Sequence, residues 1–333
     1  MKHRRLIIIC AVAAAAVTAL AGCSSASSSG SGASSSATSA AGKRVVYVPG
    51  LTGNPFYTTV GCGAALEASK IGMNFSTQGA ATYDPALQIN VVNAVVASKP
   101  AAMMISVTDQ KALAEPLIAA KKAGIKVITI DGDLSDKSIA SSNIQADDVA
   151  GGTLAAQALA KLVGGKGEVM GISNAAGNSI VSDERAKGFE DGLKAYPGMK
   201  FIGLQYSGNN TSKAASIAST AAATNPNLVG IFALQTNNTE GSITGLREAG
   251  KTQTVKLVGF DTSDPIVQGI KDGAVAADIV QYPYMEGQLG VQFARDLIEG
   301  KSVPRNQTVP FVVATPANIN TAKVQQFIYK THC

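Results

Sequence analysis

Histidine is nearly absent from this chain of 333 residues. Its two histidines are His3, close to the start, and His332, the penultimate residue, and the long segment between them holds none. Ser-His-Asp and Cys-His catalytic arrangements, and metal sites built on histidine, all need such a side chain. These classes of active site are therefore excluded from that segment, and we expect neither a metal nor another cofactor.

Charge is also sparse, at 15% of the residues, and the net charge is only +5. Lys2, Arg4 and Arg5 lie ahead of an apolar stretch, and the chain after Arg5 has a net charge of +2. So small and dispersed a charge does not indicate a nucleic-acid partner. The hydrophobic content of 46% is that of a globular protein. A single core rarely grows past about 250–300 residues, so the length predicts two domains.

The first 42 residues have the composition of a leader followed by a tether. Basic residues precede an apolar stretch from Leu6 to Leu20, and Leu20-Ala21-Gly22-Cys23 resembles a bacterial lipoprotein signal. That resemblance implies a signal peptide at residues 1–22 and lipidation of Cys23; a plain secretory signal or a short anchor is the alternative. Residues 23–42 are almost entirely Ser, Ala and Gly, which predicts a flexible tether. We therefore expect an extracytoplasmic protein that is lipid-anchored to the cell membrane.

From Lys43 onward, short β-rich runs alternate with stretches of helical periodicity. Such alternation predicts parallel sheets covered by helices. The pattern restarts after Asp147 without a disordered linker, which predicts two similar doubly wound α/β lobes. Their ligand cleft would lie outside the carboxyl ends of the strands. Strands are predicted at Val45–Val48, Met73–Ser76, Ala101–Ile105, Lys126–Ile130, Glu168–Gly171, Phe201–Gln205, Leu228–Ala233 and Lys256–Phe260.

Polar and aromatic side chains follow several of these strands, including Asn54, Asp131, Gln235 and Asp261. Sugar hydroxyls need both hydrogen-bond donors and acceptors, and the C–H faces of a sugar ring pack on aromatic rings. The strand ends therefore predict a site for a neutral, polyhydroxylated small molecule.

Five motifs occur in order at these strand ends: Gly53-Asn54-Pro55-Phe56-Tyr57, Val127-Ile128-Thr129-Ile130-Asp131, Asp183-Glu184-Arg185 with Gly188-Phe189, Val258-Gly259-Phe260-Asp261, and Gln281. With them the chain resembles, from about Lys43 to Ile319, the periplasmic binding proteins of the ribose/galactose type, the sugar-capturing components of ABC importers. The resemblance implies the type I fold, in which a three-stranded hinge joins the lobes, with crossings near Ala146–Asp148, Val280–Tyr282 and Pro310. The implied segments are residues 43–146 with 281–310 for the N-terminal lobe, 147–280 with 311–320 for the C-terminal lobe, and 321–333 for a C-terminal tail.

The resemblance also implies the function and the roles of single residues. A monomeric, non-enzymatic binding protein would close around a sugar, a sugar alcohol or a derivative and deliver it to an ABC transporter permease. Asn54 would bond a hydroxyl, Phe56 and Tyr57 would stack, and Asp131 would accept from hydroxyls. From the second lobe, Arg185, Gln235 and Asp261 would close over the ligand, with Gln281 near the hinge.

Some positions depart from the pattern of ribose binders in this family. Gly132 stands where arginine is usual, Asn209 replaces an aromatic residue, and Ser106 replaces an asparagine. Ribose itself is therefore not the expected ligand. Candidate substitutes for the lost contacts are Asp133, Asn237 and Tyr284. A sugar-derived signal or an amino sugar, whose cation would meet Asp133, is the alternative ligand.

Each candidate residue also has a purely structural interpretation. Asp131 and Asp261 could cap helices, Phe56 and Tyr57 could be core residues, and Arg185 could pair with Asp183 or Glu184 on the surface. Gln235 and Asn237 could merely form a polar turn. Two further functions remain open: an extracytoplasmic glycosidase that uses paired carboxylates, and a ligand-sensing module. A repressor headpiece is not expected where the lipoprotein signal stands.

Two cysteines, Cys62 and Cys333, remain once Cys10 is removed with the leader and Cys23 is lipidated. Disulfides persist outside the cytoplasm, so an even pair predicts a bridge between the tail and the first helix of the first lobe. The alternative is a buried, reduced Cys62 and a free Cys333.

Overall fold

A computed structural model describes residues 39–174 and 180–333. The described residues belong to one compact unit. The predicted signal peptide, Cys23 and most of the predicted tether lie outside the described residues. The last tether residues lie inside them: Ala40 is buried, and the Gly42 amide donates to the Gly72 carbonyl over 2.8 Å. None of the helices in the described part of the chain is both long and apolar enough to cross a membrane.

The described residues form alternating strands and helices. The strands are β1 (Arg44–Val48), β2 (Asn74–Thr77), β3 (Ala102–Ile105), β4 (Lys126–Ile130), β5 (Ser142–Ala146), β6 (Lys166–Ser173), β7 (Gly198–Tyr206), β8 (Leu228–Ala233), β9 (Lys256–Phe260), β10 (Ala277–Val280), β11 (Asn306–Val309) and β12 (Val312–Ala314). The helices are α1 (Pro55–Ile71), α2 (Pro85–Ala97), α3 (Ala114–Lys122), α4 (Asp148–Val163), α5 (Ile180–Leu193), α6 (Thr211–Thr224), α7 (Thr236–Glu248), α8 (Asp264–Lys271), α9 (Pro283–Ile298) and α10 (Ala322–Gln325).

The strands build two sheets with equivalent topology. The first has the order β11-β5-β4-β3-β1-β2 and is parallel throughout; the second has the order β12-β10-β9-β8-β6-β7, with only β12 antiparallel to its neighbour. In each sheet the order reverses beside the lobe's first strand, and open α/β sheets bind ligands at such switch points. The predicted fold of two doubly wound lobes is confirmed.

Within the described residues, the chain passes between the sheets at three places. It leaves the first sheet after β5, at Ala146. It returns to the first lobe after β10, as the packing of α9 against α1 and β4 shows. The last passage is the short link from β11 to β12, at Pro310. These positions coincide with the crossings expected near Ala146–Asp148, Val280–Tyr282 and Pro310.

The strands that the sequence predicts lie within three residues of β1–β4 and β6–β9 at every end. These strands contain runs of buried Val, Ile, Leu, Met and Phe because helices cover both faces of each sheet. The described tail contains little helix, since α10 has one turn. Cys62 in α1 and Cys333 are paired as a disulfide, with their Cα atoms 5.4 Å apart.

Candidate functional site

A cavity of about 760 Å³ has walls from both lobes, at loops that follow the strands. This volume is typical of small-molecule sites, which hold roughly 300–1,000 Å³. Twelve of the thirteen candidate ligand-binding residues from the sequence contribute to its walls: Asn54, Phe56, Tyr57, Ser106, Asp131, Asp133, Arg185, Asn209, Gln235, Asn237, Asp261 and Gln281. Tyr284 is not among the described lining residues; its ring instead lies 4.5 Å from the Lys330 ammonium. Contact between these residues and a ligand stays a prediction.

Asp131 and Asp261 occupy equivalent positions in the two lobes. Each directly follows a central strand, and each has a left-handed backbone, with φ of 67° and 69°. The amide of Asp131 donates to the Ile144 carbonyl over 2.9 Å, and that of Asp261 donates to the Ile279 carbonyl over 3.0 Å. Asp tolerates this conformation better than most residues, and strained backbone is concentrated at functional sites.

Neither aspartate serves as a helix cap. No helix separates β4 from β5, and α8 begins after Ser263 rather than after Asp261. The capping interpretation therefore does not apply, and both carboxyl groups contribute to the cavity wall.

Arg185 lines the cavity and is 2% exposed. Its Nε donates to Asp148 Oδ1 over 2.7 Å, and its Nη1 donates to the Leu234 carbonyl over 3.0 Å. Nη1 also lies 3.7 Å from Asp261 Oδ2, and the guanidinium carbon lies 3.7 Å from the centre of the Phe260 ring. The surface interpretation of Arg185 is wrong, because its ion partners are these buried aspartates.

Close packing between α4 and α5 brings Arg185 to Asp148. A Cβ atom on Gly152 would lie 2.0 Å from the Arg185 carbonyl oxygen, and one on Gly188 would lie 2.0 Å from the Val149 carbonyl oxygen. The two backbones therefore approach too closely for any side chain at these glycines. Since Asp148 is in the first turn of α4, this approach places its carboxylate beside the guanidinium.

Burial dominates the electrostatics of the site. It raises the pKa of Asp131 to about 8 and that of Asp148 to about 7, although Arg185 lowers both. Burial likewise raises the pKa of Glu286, and the carboxylates of Asp131 and Asp148 add to the rise. Near neutral pH part of this carboxyl group cluster is protonated, so it can both donate and accept hydrogen bonds.

Asp261 is fixed by two donors on one oxygen. Gln281 Nε2 donates to Asp261 Oδ1 over 2.8 Å, and the Tyr329 hydroxyl donates to the same atom over 2.7 Å. The other oxygen, Oδ2, is on the side of Arg185. A carboxylate held in this way presents Oδ2 in one orientation.

Aromatic rings form part of the cavity wall that the first lobe contributes. Phe56 is 5% exposed and packs edge-on against Tyr57, at 5.3 Å between ring centres, and against Tyr329, at 5.7 Å. Tyr83, which is 40% exposed, also lines the cavity. Phe56 is thus a core residue whose ring reaches the cavity wall, and the more open aromatic faces belong to Tyr57 and Tyr83.

The sequence profile of the periplasmic binding protein domain matches residues 45–302. The chain belongs to this family. It is 29% identical over 250 residues to the ribose import binding protein of Salmonella typhimurium, covering 75% of this chain and 83% of that protein. It is 30% identical to the D-ribose/D-allose-binding protein of Pseudomonas aeruginosa, over 72% of this chain and 75% of that one.

A solved structure has the same fold as this chain. An ABC transporter solute-binding protein from Agrobacterium vitis, bound with α-D-tagatopyranose, superposes with a TM-score of 0.83 at 35% identity. The match covers 86% of this chain and 99% of that one.

In this periplasmic binding protein the polar residues of the second lobe largely bond one another. Asn238 Nδ2 donates to Gln235 Oε1 over 2.6 Å, Gln235 Nε2 donates to the Ser182 hydroxyl, and Asn237 Nδ2 donates to Asn209 Oδ1 over 2.8 Å. Gln235 and Asn237 thus form polar contacts with their neighbours, as the structural interpretation has it, and they also line the cavity.

Asp133 lines the cavity, but both of its oxygens have partners in the first lobe. Oδ1 accepts from the Thr129 hydroxyl and the Leu134 amide, and Oδ2 accepts from Arg305 Nη2 over 2.9 Å. These contacts favour a supporting role for Asp133 over direct contact with a cation of the ligand.

Four residues that line or support the cavity have no counterpart among the candidates from the sequence: Tyr83 lines it, Asp148 and Tyr329 bond the lining residues Arg185 and Asp261, and the charge of Glu286 interacts with that of Asp131. A fifth, Gln88, is fully buried and bonds the Ser106 and Pro49 carbonyls and the Thr108 amide, so it joins two loops of the cavity wall. Asp148 comes two residues after β5, a strand that the sequence did not predict; Gln88 and Glu286 lie in helices, Tyr83 in the loop after β2, and Tyr329 in the tail. Within the described residues, no group of three or more His, Cys, Asp or Glu side chains is arranged to hold a metal ion.

Proposed function

We propose that this protein captures a monosaccharide, a sugar alcohol or a close derivative between its lobes and delivers it to an ABC transporter permease. The observation that carries the proposal is the equivalent placement of Asp131 and Asp261, one from each lobe, on the wall of one cavity. Each aspartate directly follows a central strand of its own lobe, so a ligand that bonds both would hold the lobes together.

The chemistry of the cavity favours a neutral polyol. Carboxylate and amide groups supply acceptors and donors, and Tyr57 and Tyr83 supply faces for C–H groups. The relatives described above carry the names of ribose and allose binders, or hold a tagatopyranose, which supports the sugar class. Gly132 offers no charged donor at the position where arginine is usual in the ribose binders of this family, so a ligand other than ribose is expected.

We propose closure about the hinge without enzymatic chemistry. The moving bodies would be residues 43–146 with 281–310 and residues 147–280 with 311–320, and the tail at 321–333 would join them. Closure would bring both lobes onto one ligand, and the permease would recognise the closed form. Small-angle scattering would show a smaller radius of gyration at saturation with ligand, and an unchanged radius would exclude hinge closure.

The same proposal sets the location and assembly of the protein. A diacylglycerol on Cys23 would anchor a monomer outside the cytoplasm, with the preceding signal peptide removed. In that oxidising compartment the pair Cys62–Cys333 would persist as a disulfide. Mass spectrometry of the membrane fraction tests both statements: a diacylglycerol-modified Cys23 at the N-terminus and a mass lower by two hydrogen atoms at the Cys62–Cys333 peptide pair are expected.

A thermal-shift screen of the full-length protein tests the proposed ligand class. The panel contains D-ribose, D-allose, D-tagatose, D-arabinose, xylitol, glucosamine and several amino acids. A cognate ligand stabilises by an amount that grows with its concentration, reaching about 2.7 kcal/mol at a hundredfold excess over Kd. We expect a shift with one or more neutral sugars or the polyol, larger than that with ribose. A shift with amino acids alone would exclude the proposed function.

A further inference from the structure

The C-terminal tail runs from the second lobe to the first. After β12, Asn318 closes a turn by accepting from the Thr315 amide and donating to the Val313 carbonyl. Beyond α10, the Phe327 ring stacks on Tyr282 with 4.4 Å between ring centres. The tail ends at Cys333, which is bonded to Cys62 of α1 in the first lobe.

Tyr329 is the point at which the tail touches both lobes. Its amide donates to the Thr262 hydroxyl over 2.9 Å, and its own hydroxyl donates to Asp261 Oδ1 over 2.7 Å, both in the second lobe. Its ring packs edge-on against Phe56 of the first lobe, and the side chain is 6% exposed. Two residues that line the cavity, Phe56 and Asp261, are thus in contact with a single side chain of the tail.

The residues after Tyr329 attach the tail to the first lobe. The Lys330 amide donates to the Thr59 hydroxyl over 2.6 Å, and the Lys330 ammonium lies 4.5 Å from the centre of the Tyr284 ring. Three residues later the disulfide fixes the chain to α1. From Tyr329 to Cys333 the backbone spans at most about 14 Å when extended, so this link limits how far Tyr329 can move from Cys62.

We propose that the tail is a covalently fixed strap in which Tyr329 is a positioning residue for Asp261. The disulfide keeps Tyr329 in its place between the lobes, and its hydroxyl then keeps the carboxylate of Asp261 turned so that Oδ2 is available to the ligand. The strap adds a fourth connection to the three hinge crossings. Reduction of Cys62–Cys333 would loosen Tyr329 and weaken ligand binding while both lobes stay folded.

The expected effect of Tyr329 on ligand binding rests on the proposed function. The experiment therefore includes a measurement that needs no ligand. Hydrogen exchange of the full-length protein is followed in peptides that contain residues 261–263 and 326–330. In the oxidised protein the amides of Tyr329 and Lys330 have hydroxyl partners, so they are expected to exchange slowly. Reduction with a phosphine, or the double substitution C62S/C333S, should accelerate exchange in both peptides.

The second measurement is calorimetric binding of D-ribose, D-allose, D-tagatose and D-arabinose to Tyr329→Phe, which loses the hydroxyl but keeps the ring on Phe56. We expect about tenfold weaker binding, because Asp261 Oδ2 is no longer held in the orientation that meets the ligand. A merely structural role would lower the melting temperature and leave the affinity unchanged. Tyr206→Phe, on the exposed edge strand β7, is the matched control and should bind as the wild type does.

Reduction has its own control. C62S/C333S lacks the disulfide, so its binding should not respond to the phosphine, whereas wild-type binding should weaken. Unchanged exchange after loss of the disulfide would overturn the proposal. Faster exchange together with unaltered affinity of Tyr329→Phe for a sugar that the wild type binds would also overturn it. If the wild type binds none of the four sugars, the proposed function is in question, and the exchange measurement alone decides the strap.

Discussion

Asp148 Oδ1 lies 2.7 Å from Arg185 Nε, and both side chains are almost completely buried, at 1% and 2% exposure. This ion pair links the first turn of α4 to α5 and orients the guanidinium toward the cavity. A buried charge that loses its partner is far more costly than an exposed one.

Asp148→Ala should therefore lower the free energy of unfolding by about 1–3 kcal/mol, because the buried Nε of Arg185 would lose its acceptor while Asp261 still faces Nη1. Urea denaturation followed by circular dichroism measures this. Lys194→Ala, which breaks the exposed contact with Asp191, is the control and should leave the midpoint nearly unchanged. Equal midpoints for Asp148→Ala and wild type would show that the pair does not hold α4 and α5 together.

Stability should fall as the pH rises from 5 to 8. Burial raises the pKa of Asp131 to about 8 and that of Asp148 to about 7, so the folded state retains protons that the unfolded chain has released above pH 4. The free energy of unfolding then decreases with pH, with a limit of about 1.4 kcal/mol per pH unit for each such proton. The raised pKa values of Asp278 and Glu286 act in the same direction.

The variant Asp131→Asn checks this pH dependence. The amide of this variant does not titrate between pH 5 and 8. Its free energy of unfolding, measured in urea at each pH, should therefore vary less with pH than that of the wild type. Identical slopes for the two proteins would mean that Asp131 is already ionised throughout this range.

Gly152→Ala should destabilise the second lobe, because its methyl group would lie 2.0 Å from the Arg185 carbonyl oxygen. Overpacking of this kind costs about 1–3 kcal/mol or more. Gly132→Ala is the matched control, since its nearest neighbour would be 3.8 Å away. Thermal melting monitored by circular dichroism should show a loss for Gly152→Ala alone; equal melting temperatures would contradict the close approach of α4 and α5.

The strands and the cavity-facing loops could be predicted because both depend on local patterns. Buried parallel strands such as Lys256–Phe260 are short apolar runs, and the residue after each run must lie at the carboxyl edge of its sheet. Two neighbouring strands at one side of the first sheet, β11 and β5, carry no such pattern: Asn306–Val309 is polar and half-exposed, and Ser142–Ala146 contains Ser, Asn and Gln.

The partners of the predicted residues could not be found in the same way. Tyr329 is 68 positions from Asp261, and Asp148 is 37 positions from Arg185, so only the tertiary packing brings each pair together. A tail without helical or strand periodicity gives no indication of where its side chains lie. Sequence spacing therefore identified which residues face the cavity, and the packing determined what holds them.

The most direct test of the account is calorimetric titration of one sugar against Asp131→Ala and Asp261→Ala, using the sugar that most stabilises the wild type. Each variant removes a carboxyl group from a different lobe. If the ligand bonds both lobes, each substitution leaves a buried hydroxyl group of the ligand without its partner and should weaken binding by roughly 5- to 150-fold, while far-ultraviolet circular dichroism stays native. Wild-type affinity in either variant would contradict a site formed between the lobes.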